Sequence, residues 1–422
     1  MIKQKEIVLK KTDIKSALEI PNYLDQVFNG KILRWFISKI SEENIHIELT
    51  LYDNEILNCN HSYEENEVIN WNNRNTVVLN VVPTGIGCSI GGYAGDAAPA
   101  NALLASCTDH LITHPNTVNA SNFIHKTENT HYLEGFFMDL FSKGLVDLYE
   151  PFVNNVGLII EKTSQENLDI IYNIVNACRA VYGINISHCE VTDEYVGGRC
   201  VRNKSGAYVG NIDNPQTLFR AAEKLIKKGI TAIGITSNIK DLPQEEYAKH
   251  FDGKSPNPVG GVEAIISHLV SKKYQLPAAH APMINKKDIT LFDQIVDARG
   301  SAEMASISGL ACVIIGLNKA PQINSKLIRV KHIINKENLL AVVAPANSLG
   351  GVPMIYANRR NIPLIAVRNN ETILEINKKN LNLKNVIEVE NYFEAAGVIQ
   401  AIKSGINLDT IKRPMKTLRK AK

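Results

Sequence analysis

The alternation of β-branched apolar runs with helical segments is the feature that most restricts what this chain can fold into. "TVVLNVV" (76–82), "ITAIGITSNI" (230–239) and "NLLAVVAP" (338–345) have the composition of buried strands. "NPQTLFRAAEKLIKKG" (214–229) is typical of a helix, with Pro215 in its first turn and Gly229 at its end. The pattern predicts an α/β fold: a mostly parallel sheet of Rossmann-like βαβ units with helices on both faces.

The first part of the chain differs from this pattern. "KILRWFISKI" and "IHIELTLYD" predict a small α+β unit within residues 1–72, followed by a polar connection rich in Asn and Glu. The rest divides into an α/β domain over 73–205, which carries a glycine-rich loop, and a second α/β domain over 206–422. We therefore expect three units, in accord with a length of 422 residues.

Composition and charge restrict the partners. The formal net charge is only +3, from 46 basic and 43 acidic residues, which is too small a bias to indicate nucleic acid or a membrane surface. No apolar run approaches the roughly 18 residues of a membrane span, and the start of the chain lacks the apolar core of a secretory signal. Seven cysteines, an odd number, are typical of reduced thiols. The sequence thus predicts a cytoplasmic protein without nucleic-acid or membrane partners, and leaves a homo-oligomer open.

A glycine-rich segment, "VVPTGIGCSIGGYAGDA" (81–97), carries five glycines in seventeen positions. It lies between a predicted strand and the predicted helix "AAPANALLASC", for which Asp96 is a candidate N-cap. Backbone N–H groups free of Cβ crowding, together with a helix N-terminus, can bind a phosphate or carboxylate. The alternative is a tight structural corner. The candidate substrate-binding residues in this segment are Thr84, Gly85, Gly87, Gly91, Gly92 and Asp96.

The known nucleotide-binding fingerprints do not fit this segment. Gly85, Gly87 and Gly91 form GxGxxxG rather than GxGxxG, and the next predicted strand ends in "THPN", without an acidic residue for a ribose. No GxxxxGK[ST] sequence occurs. NAD and FAD are therefore disfavoured, a P-loop is excluded, and the cofactor stays unknown.

Histidines follow two predicted strands, where ligands of open α/β sheets bind. His114, with Asn116 and Asn119, lies in "THPNTVNASN", and His280 lies in "AHAP". Both are candidate acid–base residues, the alternative for His114 being a His-Pro turn satisfied by backbone. His110 and His114 are about 13 Å apart on a strand at roughly 3.3 Å per residue, so no zinc site is expected there.

Charged residues supply the remaining candidates. In "DARGSAEM", Arg299 could clamp a carboxylate while Asp297 or Glu303 moves a proton, and a helix-start set of salt bridges is the alternative. Lys319 follows "LACVIIGL", a predicted buried strand, and could neutralise an anion or lie exposed in a turn. The catalytic candidates are thus His114, His280, Asp297 and Glu303, the further substrate-binding candidates are Asn116, Asn119, Arg299 and Lys319, and no metal site is predicted.

Five segments together are similar to a widespread family of uncharacterised proteins in bacteria, cyanobacteria and plant plastids. They are "PTGIGCSIGGYAGDA", "THPNTVN", "GGVEAIISH", "AHAP" and "GLNKAPQI". The resemblance spans roughly residues 76–410 and leaves the first 70 residues uncovered. It implies no activity and assigns no role to any residue.

These observations favour an enzyme that acts on a small anionic metabolite by lyase, isomerase or hydrolase chemistry without a redox cofactor. Two alternatives stay open: a non-catalytic sensor that binds such a metabolite, and a transferase that uses a phosphorylated donor. The sequence does not identify the substrate.

Overall fold

Parallel sheets form the body of the molecule, and a small antiparallel unit precedes them. The computed structural model describes residues 2–53, 57, 75–82, 97–113, 127–204, 206–240, 244–252, 254–283, 309–324 and 332–419. The predicted α/β class, with Rossmann-like units and a small N-terminal α+β unit, is confirmed.

Strands are numbered along the described chain. They are β1 (Ile2–Lys10), β2 (Ile32–Ile40), β3 (Asn44–Tyr52), β4 (Val77–Asn80), β5 (His110–Thr113), β6 (Thr130–Tyr132), β7 (Asp147–Tyr149), β8 (Val156–Ile160), β9 (Ile186–Val191), β10 (Gly198–Arg202), β11 (Tyr208–Ile212), β12 (Ala232–Ser237), β13 (Ile239–Lys240), β14 (Ala278–Pro282), β15 (Gln322–Asn324), β16 (Ile333–Ile334), β17 (Leu339–Pro345), β18 (Leu364–Val367) and β19 (Val386–Val389).

The α-helices are numbered in the same way. They are α1 (Ile20–Phe28), α2 (Ala97–Ala105), α3 (Gly135–Lys143), α4 (Gln165–Tyr182), α5 (Pro215–Lys227), α6 (Gln244–Phe251), α7 (Gly260–Tyr274), α8 (Leu310–Leu317), α9 (Val352–Arg359), α10 (Lys378–Leu381), α11 (Tyr392–Lys403) and α12 (Leu408–Ile411). No helix in this part of the chain has the length and apolar character needed to cross a membrane.

The first parallel sheet has the strand order β19-β18-β17-β4-β5-β6 among the described strands. The chain builds β4, β5 and β6 outward to one side, and later β17, β18 and β19 outward to the other. The direction of winding therefore reverses between β4 and β17. In open α/β sheets, such a switch point opens a crevice outside the carboxyl ends of the strands, where ligands bind.

Apolar residues cover both faces of this sheet. On β4, Val77 and Leu79 face one core, together with Phe137 of α3 and Ile355 of α9. Val78 faces the opposite core, with Leu104 of α2 and Ile399 of α11. Successive side chains of β4 thus point to opposite faces of the sheet, and helices pack on both faces, as predicted.

The second parallel sheet has the order β14-β12-β8-β9, with its own reversal between β8 and β12. Tyr132, the last residue of β6, packs in the core of this sheet with Leu158 and Ala281. The carboxyl end of the first sheet thus meets the second sheet. Both sheets take strands from either side of residue 205, so the predicted domain boundary does not coincide with a boundary between sheets.

The N-terminal unit forms an antiparallel sheet of order β1-β3-β2 that lies against the parallel body. The Ile37 N–H donates to the Gly350 carbonyl (3.2 Å), and Phe36 forms a β-bridge with Gly351. Gly350 leaves room for this approach, because a β-carbon there would lie 2.8 Å from the Ile37 Cβ. Strand β2 therefore closes against the loop that follows β17.

One predicted element is wrong. "LACVIIGL" is not a strand but helix α8, which starts after Gly309 in a left-handed conformation (φ 67°). Its apolar residues are buried on the second sheet, with Val313, Ile314 and Leu317 in one core cluster. A short run that is apolar throughout fits a buried strand and a buried helix equally well, so its periodicity could not separate them.

Candidate functional site

A cavity of about 190 Å³ lies at the switch point of the first sheet. Val81, directly after β4, forms one part of its wall, and Ser348, Gly350 and Gly351, between β17 and α9, form another. Strand β2 of the N-terminal unit, helices α3, α7 and α9, and Leu374 form the rest of the wall. We call this space the first cavity.

Glu134 and His268 form a carboxylate–imidazole pair in the wall of the first cavity. Glu134 Oε2 accepts the Phe136 N–H (2.6 Å) and so caps helix α3. Its Oε1 accepts the Ser267 hydroxyl (3.0 Å) and contacts His268 Nδ1. Because Glu134 is only 1% exposed and held by these donors, its carboxylate stays in contact with His268 Nδ1.

Gly135 makes room for this imidazole. A β-carbon on Gly135 would lie 2.5 Å from His268 Cε1 and 3.0 Å from Nε2. In the described part of the chain, Nε2 of His268 has no hydrogen-bond partner. The imidazole is therefore fixed on one side and available on the other.

Arg34 brings a positive charge into the same wall from strand β2. Its guanidinium makes one hydrogen bond, from Nη1 to the Gly261 carbonyl (3.4 Å). Among the described residues no carboxylate oxygen lies within salt-bridge distance of it. Burial lowers the pKa of Arg34 to about 10, while the charges of Asp139, Glu134 and Glu48 act in the opposite direction. The side chain stays protonated at neutral pH and retains unused N–H donors.

Asp139, on α3, lines the first cavity beside Arg34. Burial raises the pKa of this carboxyl to about 6, although the nearby charges of Lys143, His268 and Arg34 pull it down. Within the described ranges no hydrogen bond reaches the carboxylate. Asp139 is therefore a group that changes its protonation state close to neutral pH.

The four side chains give the first cavity a definite chemical capacity. Arg34 can bind an anionic group through two parallel N–H donors. Asp139 can accept or donate a proton near neutral pH, and the imidazole of His268 can form a hydrogen bond with a ligand through Nε2. The residues that the structure describes contain no group of three histidine, cysteine or carboxylate side chains placed to hold a metal ion.

His280 is the middle residue of β14, in the second sheet, rather than a residue that follows the strand as the sequence predicted. Its Nε2 lies 2.8 Å from the Ser237 Oγ, and its Nδ1 lies 3.2 Å from Glu263 Oε1. The side chain of His280 is only 1% exposed and is not part of the wall of the first cavity. Helix α7 carries both Glu263, which faces His280, and His268, which faces Glu134.

Most of the residues predicted from the sequence lie outside the described residues. They are Thr84, Gly85, Gly87, Gly91, Gly92, Asp96, His114, Asn116, Asn119, Asp297, Arg299 and Glu303. The strands that precede them in the chain are described: β4 ends before the glycine-rich segment, and His114 directly follows the last residue of β5. Because β4 and β5 are parallel neighbours, their carboxyl ends lie at the same edge of the sheet, where Val81 lines the first cavity.

Lys319 is described and lies exposed after helix α8, away from the wall of the first cavity. Its predicted position at the end of a buried strand is wrong, because the preceding segment is a helix. The binding of an anion by Lys319 stays a prediction.

Four residues of the first cavity were not predicted from the sequence: Arg34, Glu134, Asp139 and His268. Each lies next to apolar residues, as Arg34 does in "KILRWFISKI" and His268 does in "GGVEAIISHLVSKK". Arg34, a charge between Leu33 and Trp35 in a predicted strand, gave a local signal, since burying an unpaired charge is costly. Its partners could not be found, because they lie on elements far apart in the chain.

Comparison with known proteins places the chain in a family. It belongs to the family described as "Protein of unknown function (DUF3326)", whose model matches residues 76–412. It is also 33% identical, over 329 residues, to an uncharacterized lipoprotein of Synechococcus sp., an alignment that covers 78% of this chain and 90% of the relative. No solved structure matches. The resemblance to an uncharacterised family that includes cyanobacterial members is therefore confirmed.

The name of this relative corrects one prediction. The sequence predicted a cytoplasmic protein, but the relative is named a lipoprotein, which indicates attachment to lipid. The predicted cytoplasmic location is therefore wrong on this comparison.

Proposed function

We propose that this member of the DUF3326 family is an enzyme that acts on a small anionic metabolite, a carboxylate or a phosphate, by non-redox acid–base chemistry in the first cavity. One observation carries the proposal. Arg34 and Asp139 line a single cavity at the switch point, and neither has an ionic partner within salt-bridge distance among the described residues. A half-buried charge of this kind is costly to the fold unless a ligand uses it.

The raised pKa of Asp139 supports a catalytic role for this residue. General acid–base groups work best when their pKa lies near the pH at which the enzyme operates, and burial raises the pKa of this carboxyl to about 6. Perturbed groups also occur in structural ion-pair networks, but Asp139 has no ion pair within the described residues.

The remaining groups have distinct roles in this proposal. Arg34 binds the anionic group and fixes its orientation. Asp139 takes or gives a proton on one side of the substrate, and His268 does so through Nε2 on another. Glu134 is a positioning residue, because it holds Nδ1 of His268 and is itself held by the N-terminus of α3. Many lyases, isomerases and hydrolases use positioned acid–base groups of this kind.

Solvent exchange tests the proposal across a panel of candidate substrates. The protein is incubated in D2O with a set of small carboxylates and sugar phosphates, and NMR follows deuterium incorporation and product formation. We expect exchange or turnover with at least one compound, and a loss of about 10² to 10⁴ in rate for Asp139→Asn. The matched control is Asp169→Asn, at an exposed position on α4.

Two results would overturn the proposal. Full activity of a folded Asp139→Asn protein would remove the acid–base role. Tight binding of an anion in the first cavity, with neither exchange nor turnover across the panel, would instead identify a binding protein.

A further inference from the structure

The wall of the first cavity is mainly apolar, apart from the ionisable groups described above. Its described apolar residues lie largely on β2, α3 and α9, together with Val81 and Leu374. They include Trp35, Met138 and Met354, each of which is at most 9% exposed. A ligand that fills this space therefore contacts apolar residues over much of its surface.

The ionisable groups gather in one part of this wall. The other three ionisable side chains of the described wall all act electrostatically on the Asp139 carboxyl. Two serines add hydroxyls, Ser348 from the loop before α9 and Ser267 from α7, and that of Ser267 already donates to Glu134. The first cavity thus offers a ligand one strongly polar end and few hydrogen-bonding side chains elsewhere in the described wall.

The charges of the wall suit a ligand with one negative charge. Among the described wall residues, Arg34 is the one with a permanent positive charge, and it can bind a single carboxylate through two N–H donors. A second anionic group would meet the carboxylates of Glu134 and Asp139 instead of a cation. A phosphate monoester carries about 1.5 to 2 negative charges at pH 7, so it fits this wall less well than a carboxylate does.

The volume of the first cavity limits the size of the ligand. An apolar protein cavity of about 150 Å³ can hold a benzene molecule, so a cavity of about 190 Å³ has room for one six-membered ring with a carboxylate. Hydroxyls on such a ring would exchange water for contacts with residues such as Trp35 and Met354, which cannot accept their hydrogen bonds well. Each hydroxyl left without a partner costs about tenfold or more in affinity.

We infer that the substrate is a monocarboxylate with an apolar ring or short apolar chain, rather than a sugar phosphate or a polyhydroxylated acid. Its carboxylate binds Arg34 beside Asp139. Its apolar part contacts Trp35, Met138 and Met354. This inference rests on the proposed function for what occupies the first cavity, and it adds the chemical class of the substrate.

Calorimetric titration of the full chain at pH 7 and constant ionic strength tests the inference. The probes share a six-membered ring and an anionic group. They are cyclohexanecarboxylate, quinate, which adds hydroxyls to the ring, and cyclohexyl phosphate, which replaces the carboxylate. We expect cyclohexanecarboxylate to bind about tenfold or more tightly than quinate, and also more tightly than cyclohexyl phosphate.

Two single variants test the contribution of the apolar wall. Met354→Gln and Val352→Thr each introduce a polar group with little change in volume, and each should lower the preference for cyclohexanecarboxylate over quinate by about threefold or more. Circular dichroism establishes which variants are folded, and the second variant serves where the first does not fold. The matched control is Met415→Gln, at a position that is 60% exposed and not part of the wall, and it should keep the preference of the wild type.

The outcomes separate this inference from the proposed function. No binding of cyclohexanecarboxylate, equal or tighter binding of quinate or of the phosphate, or an unchanged preference in the folded wall variants would each overturn the substrate class. Turnover of a sugar phosphate that depends on Asp139 would also overturn it, while the acid–base proposal would stand. If the preference is present and depends on the apolar wall, but Asp139→Asn leaves turnover intact, the substrate class stands and the acid–base proposal fails.

Discussion

Replacing Asp139 with asparagine should stabilise the protein at neutral and alkaline pH, although it removes a proposed catalytic group. Asparagine resembles the protonated carboxyl in size and carries no charge. Burial raises the pKa of Asp139 from 3.8 to about 6, so ionisation costs more in the folded chain than in the unfolded one. A group with a raised carboxyl pKa lowers stability as pH rises from about 4 to about 6, and the full penalty persists above that range.

The size of the effect follows from this pKa. At 1.36 kcal/mol per pKa unit, the difference between 3.8 and about 6 corresponds to about 3 kcal/mol at pH 8. The same linkage leaves about 1 kcal/mol at pH 4.5, where most of the folded molecules have a protonated Asp139. For 422 residues, an unfolding entropy of roughly 2.1 cal/mol/K per residue converts the larger figure into about 3 °C of melting temperature.

Thermal and urea unfolding, followed by circular dichroism at pH 8 and pH 4.5, measure this difference between the variant and the wild type. The exposed Asp169→Asn is the control and should show no such dependence on pH. A variant that is no more stable than the wild type at pH 8 would refute the reasoning, as would a gain of equal size at both pH values.

Three further substitutions test the packing around the site. Gly135→Ala should displace the His268 ring, because the new β-carbon would lie 2.5 Å from its Cε1, and turnover should fall by about 10²-fold. The control is Gly397→Ala on α11, where a β-carbon would have no neighbouring atom within 4 Å, and turnover should not change. Gly350→Ala should weaken the packing of the N-terminal unit on the parallel body, because the new β-carbon would lie 2.8 Å from the Ile37 Cβ. Proteolysis of residues 2–53 should then be faster than in the wild type, and an equal rate would contradict this prediction. His280→Asn should cost about 1–3 kcal/mol, measured by urea unfolding, since the buried Ser237 and Glu263 lose their partner. Its predicted catalytic role further requires a loss of about 10²-fold in turnover, so full turnover by the folded variant would exclude that role.

The sequence by itself determined the fold class and most of its elements. "ITAIGITSNI" became strand β12 because it has the β-branched, apolar composition of a buried strand. "NPQTLFRAAEKLIKKG" became helix α5 because its apolar residues recur with the period of a helix and Gly229 follows them. The segment of helix α8 was predicted wrongly as a strand, because it is apolar throughout and shows neither period. Its burial on the second sheet decided its conformation.

The tertiary structure alone decided the candidate site. The order in which strands lie in a sheet depends on contacts between distant segments, so the switch point between β4 and β17 has no local signal. The same is true of the meeting of Arg34, from the N-terminal unit, with Asp139 and His268. Asp139 has an ordinary carboxyl in the unfolded chain, and only the loss of water around it in the folded chain raises its pKa to about 6.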